Sequence, residues 1–186
     1  FPTRRSSDLG VSNLSLIEGI ERLERMKDHL RFLKVLDGIK ADFDVVLIDC
    51  PPSVSEMTVQ ILLAVDELLI PVQPEQKAIA GLVIVQKEII KANKRRLRIQ
   101  NPLRISGIVP TIFNPNLSVH LNNLKYIETI AQTLRCPVLP AVRRLTAVTE
   151  ASTYGQPLKV YKPSSPANDD MARIVDCLFA ETAASV

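Results

Sequence analysis

Asp49 is the side chain in this sequence whose type and setting point most directly to chemistry. It follows Val45-Val46-Leu47-Ile48, four consecutive apolar residues. Such a run is too uniform for a strand with one wetted face and suits a strand covered on both sides, as in a parallel sheet clad in helices. Pro51 and Pro52 come just after it and stop the chain from continuing as strand or helix. Ligands of open α/β sheets bind beyond the carboxyl ends of the strands. A carboxylate at that point is placed to hold Mg²⁺, directly or through water, beside a nucleotide phosphate. The competing role for Asp49 is to cap the next helix, and a strand followed by aspartate does not by itself separate the two.

The flanking periodicity describes the elements that must position this carboxylate. Asn13 to Ile17 alternates like a short strand. Ile20, Leu23, Met26, Leu30, Leu33 and Leu36 recur at helical spacing, which predicts an amphipathic helix closed by Gly38. Ser53 or Ser55 is expected to cap a helix from Glu56 to about Val65, and Leu68 to Val72 to form the next buried strand. A long helix is predicted over Lys77 to Arg96 with Ile79, Leu82, Val83, Ile89 and Ile90 inward. Arg104 to Ile112 reads as a strand in which Gly107 admits a close neighbour. A helix over Val119 to Leu134 turns Leu121, Leu124, Ile127, Ala131 and Leu134 inward. Val138 to Pro140 is a short strand, and the last helix buries Met171, Ile174, Val175, Leu178 and Phe179. His29 sits among charges and reads as a solvated side chain.

Composition bounds the class. The 186 residues are 46% hydrophobic and 23% charged, ordinary for a globular protein with one sizeable core. No run of apolar residues is long enough to span a bilayer, and no signal-peptide pattern stands at the start. Cys50, Cys136 and Cys177 are odd in number and lack metal-ligand spacing, which fits buried free thiols of a cytosolic protein. A net charge of +3 is too small to establish a nucleic-acid partner, so local clusters carry that question. Two stand out: Lys91 to Arg98, with five cations and no anion, and Arg143-Arg144. The first also suits a helix end that complements its dipole.

The three motifs FDVVLIDCPPS, Ala64 to Glu75 with Ala78 and Gly81, and Glu150-Ala151-Ser152-Thr153-Tyr154-Gly155-Gln156-Pro157 together resemble the ParA/Soj family of deviant-Walker P-loop ATPases. The resemblance extends from about Asn13 to the C-terminus. It implies an α/β fold, a mostly parallel sheet with helices on both faces. It also implies ATP and Mg²⁺ as cofactors, with Asp49 holding the metal shell through water in the family's manner, and Pro51-Pro52 stiffening a switch that reports on the γ-phosphate. Thr111, Asn114 and Pro140 would then lie near the nucleotide base, although an Asn-Pro turn needs no ligand to explain it. Where the common Soj pattern has Arg-Asn after the proline, this chain has Ala141-Val142. Non-specific DNA binding would fall to Lys94, Arg95, Arg96, Arg143 and Arg144, with ATP-dependent homodimerisation and a ParB-like partner. The implied setting is cytoplasmic, nucleoid-associated and bacterial, with no membrane attachment, since nothing after Phe179 is basic.

The six glycines, Gly10, Gly19, Gly38, Gly81, Gly107 and Gly155, never cluster, whereas a phosphate-cradling loop needs several close together with a Lys-Ser/Thr pair. Residues 1–9 read as the translation of a short-read sequencing adapter, which leaves 10–186 as the C-terminal portion of the ATPase domain, without its first strand and phosphate loop. The expectation is a fragment with no complete catalytic set and no ATP turnover of its own. The leading reading is a chromosome- or plasmid-partitioning ATPase. A MinD-like or other positioning ATPase of the same superfamily, and a nucleotide-independent binding module, are the alternatives.

Overall fold

A computed structural model describes residues 32–33, 36, 42–50, 55–97 and 101–183, with the side chains of 181–183 left aside. The chain divides into two units, Phe1–Val65 and Asp66–Val186. In the first, Phe32, Leu33 and Leu36 are helical and Leu36 is buried. The rest of that expected helix, and the expected strand at Asn13 to Ile17, lie outside the described residues.

Helix α1, Glu56–Ala64, begins where the sequence puts it. Ser55 is its cap: the Ser55 hydroxyl accepts the Thr58 N–H at 3.4 Å and the Thr58 hydroxyl accepts the Ser55 N–H at 3.3 Å. Two orphan donors of the first turn are thereby satisfied reciprocally.

Val45 to Ile48 corrects an expectation. Residues Val45 to Cys50 form no strand, and Leu47 is 91% exposed, with Phe43, Val45 and Val46 also exposed. Four apolar residues state a demand for cover on both sides, but a strand exists only through its partner's ladder. Among the described residues no such partner pairs with this segment.

The second unit is built on parallel pairing. Strands β1, Glu67–Val72, and β2, Arg104–Pro110, run side by side in parallel. Helix α2, Gln76–Arg96, connects them, the βαβ arrangement that parallel neighbours require. The register slips once between Leu68 and Leu69, so that Leu68 faces Ile105 and Leu69 faces Gly107. Beyond helix α3, Ser118–Leu134, the chain returns along the other edge of β2. Ile108 N–H donates to Pro137 O at 3.0 Å, Leu139 N–H to Ile108 O at 2.9 Å, and Val142 N–H to Pro110 O at 2.8 Å. Helices α4, Thr146–Thr153, α5, Leu158–Tyr161, and α6, Pro166–Ala183, complete the unit.

β2 is the covered strand: Gly107 to Pro110 are all buried. Since successive side chains face opposite ways, burial of both Ile108 and Val109 means both faces are clad. Val109 packs with Leu139, Val142 and Ile174 of α6. β1 alternates instead, with Ile70 and Val72 buried and Leu69 38% exposed, so its expected full burial is corrected to one covered face. Gly107 does admit a close neighbour, because a Cβ there would lie 2.6 Å from Leu139 Cγ.

Several inward assignments also shift. On α2 the buried residues are Leu82, Ile89, Ala92 and Arg96, while Val83 and Ile90 are exposed. On α3 Ile127 and Ala131 are buried as expected, joined by His120 and Ile130, but Leu121 is exposed. On α6 Ile174 is buried, whereas Met171, Val175 and Phe179 are exposed. Residues 174 and 175 differ by a ~100° turn of the helix, and the described neighbours cover only the first of those two stripes.

Candidate functional site

The carboxyl end of the sheet gathers the segments expected to meet a nucleotide base. Thr111 leaves β2 with its N–H on Val72 O at 2.8 Å, and Phe113 N–H donates to Val142 O at 3.0 Å. Arg144 N–H donates to Phe113 O at 3.0 Å. The turn holding Thr111 and Asn114 thus lies against the Pro140 to Arg144 segment, and the structure brings Thr111, Asn114 and Pro140 to one end of one sheet. All three are half-buried.

The turn between them has its own framework. β2 stops at Pro110, two residues earlier than expected, because Ile112 adopts φ 53°, a left-handed conformation costly for a β-branched residue. His120, buried on α3, accepts the Asn114 N–H on Nδ1 at 3.1 Å. Its ring lies 6.1 Å from that of Phe113. The Asn114 Oδ1 accepts the Asn116 N–H at 3.0 Å, a side-chain closure of the turn. His120 escapes sequence reasoning because a lone histidine at helical spacing has no distinguishing pattern.

Asp49 is exposed, in the first unit. Pro51 and Pro52 lie outside the described residues. Among the described residues no three acidic, histidine or cysteine side chains cluster as a metal cage. Magnesium seldom needs one: it keeps several waters and takes one or two carboxylates with phosphate oxygens. A single accessible carboxylate such as Asp49 fits that donor set.

The five expected DNA-facing cations do not form one surface. Arg96 is 2% exposed and donates through Nε to Asn101 O at 3.0 Å. Burial pushes its guanidinium below its ordinary value, with Asp66 opposing. Arg143 clamps Asp170, with Nε on Oδ2 at 2.7 Å and Nη2 on Oδ1 at 2.8 Å. Arg173 Nη2 reaches the same carboxylate at 2.7 Å. Asp170 is 1% exposed, and the Arg143 hydrogen bond, ahead of its other contacts, holds its carboxyl below the usual range. Arg96 and Arg143 are therefore committed within the fold, and Lys94, Arg95 and Arg144 stay exposed.

These exposed cations stand at opposite ends. Lys94 lines a cavity with Ile105, near the start of β2, whereas Arg144 is bonded to Phe113 beyond its end. Ile105 to Pro110 alone spans roughly 17 Å of extended strand, and Phe113 lies beyond that end. The Lys94 end holds another cation, Arg135, which lines the same cavity. Sequence reasoning missed it because it lies 41 residues from Lys94. Its one local signal is a basic residue closing a helix.

Known proteins provide an independent comparison. A family model described as an AAA domain matches residues 3–105. The sporulation initiation inhibitor protein Soj of Bacillus subtilis is 29% identical over 147 residues, which cover 78% of this chain and 56% of Soj. Among solved structures, apo McdA of Cyanothece superposes with a TM-score of 0.74 at 19% identity, covering 90% of this chain and 66% of McdA. The septum site-determining protein MinD of Pyrococcus horikoshii, complexed with Mg-ADP, gives 0.60 at 19% identity, over 80% of this chain and 56% of MinD. The chain spans about half the length of the curated relatives it matches.

Proposed function

Because this chain belongs to the ParA/Soj-type P-loop ATPases, we propose that it is the sheet-and-switch portion of an ATP-driven positioning ATPase, acting in chromosome or plasmid partition. The observation that carries this reading is the convergence of Thr111, Asn114 and Pro140 at the carboxyl end of a parallel sheet, where nucleotides bind in open α/β folds. Asn114 closes its turn through Oδ1, which leaves its NH₂ group as the donor for a base. His120 and the Phe113–Val142 bond fix where that donor stands.

Asp49 is the residue that would hold Mg²⁺. A magnesium ion held there would supply positive charge to offset that of a nucleotide's phosphates. Only Cys50 separates Asp49 from Pro51-Pro52, whose fixed φ angles leave little slack for passing on a movement of that carboxylate. DNA contact belongs to Arg144, the one of the Arg143-Arg144 pair without an acidic partner among the described residues. Such binding weakens steeply as salt rises. A ParB-like partner and an ATP-dependent homodimer belong to the same reading.

The test reads the source gene upstream of this frame and expresses the continuous polypeptide. A Lys-Gly-Gly-x-Gly-Lys-Thr segment and Mg-ATP-dependent binding of random-sequence duplex DNA, lost in Asp49→Ala, are the expected results. DNA binding indifferent to ATP overturns the reading in favour of a nucleotide-independent module. The 186 residues alone are expected to show no Mg²⁺-dependent ATP turnover. Positioning of a protein assembly or of the division site is the second reading, favoured by the fold likeness to McdA and MinD. An adjacent centromere-binding gene decides for partition.

A further inference from the structure

We propose that the end of the sheet opposite the nucleotide crest, where α2 and α3 finish beside the start of β2, is a docking site for an acidic, aliphatic segment of a partner protein. A cavity of about 280 Å³ opens there, lined by Lys94 and Arg135 together with Ile90, Leu97, Ile105 and Leu134. Leu97 is 69% exposed and Ile90 42%, so apolar surface reaches solvent beside the two cations. No residue lining the cavity is acidic. Neither Lys94 nor Arg135 has an ion-pair partner among the described residues.

Charge decides the sign of the occupant. Two helix C-termini meet here, each equivalent to about half a negative charge. Lys94 and Arg135 supply two positive charges at the cavity, so roughly one remains after both helix ends are offset.

Size and chemistry decide its class. The cavity falls below the ~300–1,000 Å³ typical of small-molecule pockets and lies open through Ile90 and Leu97. A side-chain anchor carried by a larger partner fits it better than a free metabolite, since the partner's surface supplies the missing lid. Duplex DNA would use the cations but leave the apolar surface wet. A segment placing leucine-like side chains beside carboxylates uses both. This site is separate from the crest, and the proposal stands whether or not nucleotide binds there.

The experiment titrates the methyl-labelled 186-residue chain with a short peptide alternating Leu and Glu, with a Leu/Lys peptide, and with random-sequence duplex DNA. The expected result is a saturable shift of the Ile90, Leu97 and Leu134 methyls with the Leu/Glu peptide alone. The double variant Lys94→Gln/Arg135→Gln weakens that binding about tenfold, the effect of two partly exposed ion pairs. Ile90→Ser, which changes an exposed side chain and no charge, weakens it several-fold. Equal binding of the Leu/Lys peptide, absence of a saturable methyl shift, or DNA moving these methyls in preference to the Leu/Glu peptide each overturns the proposal.

Discussion

Replacing Asp170 by alanine removes a buried carboxylate that holds two elements together. The side chain is 1% exposed and accepts four hydrogen bonds, from Arg143 N, Nε and Nη2 and from Arg173 Nη2. Breaking a buried pair costs about 3–5 kcal/mol when a buried charge is stranded. Here the stranded partners are guanidiniums 45% and 57% exposed, which return to water. The cost therefore falls to about that of one charge-assisted hydrogen bond, ~2 kcal/mol. That is roughly a 30-fold change in the folding equilibrium and a fall of about 6 °C in melting temperature. The effect depends on pH with a definite sign. Arg143 holds the Asp170 carboxyl below its ordinary value in the fold. Its stabilisation is thus fully present above the usual carboxylate range and disappears as pH falls through the lower folded value. Thermal melts of both proteins at neutral pH and at about pH 2 test this. The gap between them should narrow on acidification. A gap that is absent at neutral pH, or unchanged in acid, refutes the reasoning.

Gly107→Ala should destabilise the chain by about 2 kcal/mol through overpacking, since the added carbon meets Leu139 Cγ at 2.6 Å; urea denaturation measures it. Ser55→Ala should cost about 1 kcal/mol by opening the cap of α1, seen in the helical signal at 222 nm of circular dichroism and in the urea midpoint. His120→Leu leaves the Asn114 N–H without its acceptor and should raise hydrogen exchange at Asn114 while β1 and β2 amides keep their protection.

The sequence was most readable where the deciding forces are local. Ser55, one of the two expected caps, starts a helix at the expected Glu56, and α2 begins at Gln76, one residue from its expected start. Gly107 marked a close approach because few other reasons place glycine within a strand. Reading failed where the outcome rests on distant partners. Val45 to Ile48 carries the composition of an interior strand, yet composition does not supply the neighbour that would pair with it. Arg96 and Arg143 look like surface cations in a linear string. Asn101 and Asp170 capture them only once the chain has folded. Arg135 joins Lys94 through packing of α2 and α3, an encounter that neither local stretch encodes.

The parallel arrangement gives the second unit a front and a back. Helix α2, 21 residues long, spans about 31 Å and keeps the Gln73 to Glu75 loop at one pole and Lys94 at the other. Surfaces that far apart share no side chain of the helix between them, so a substitution at Lys94 leaves the residues of the Gln73 to Glu75 loop untouched.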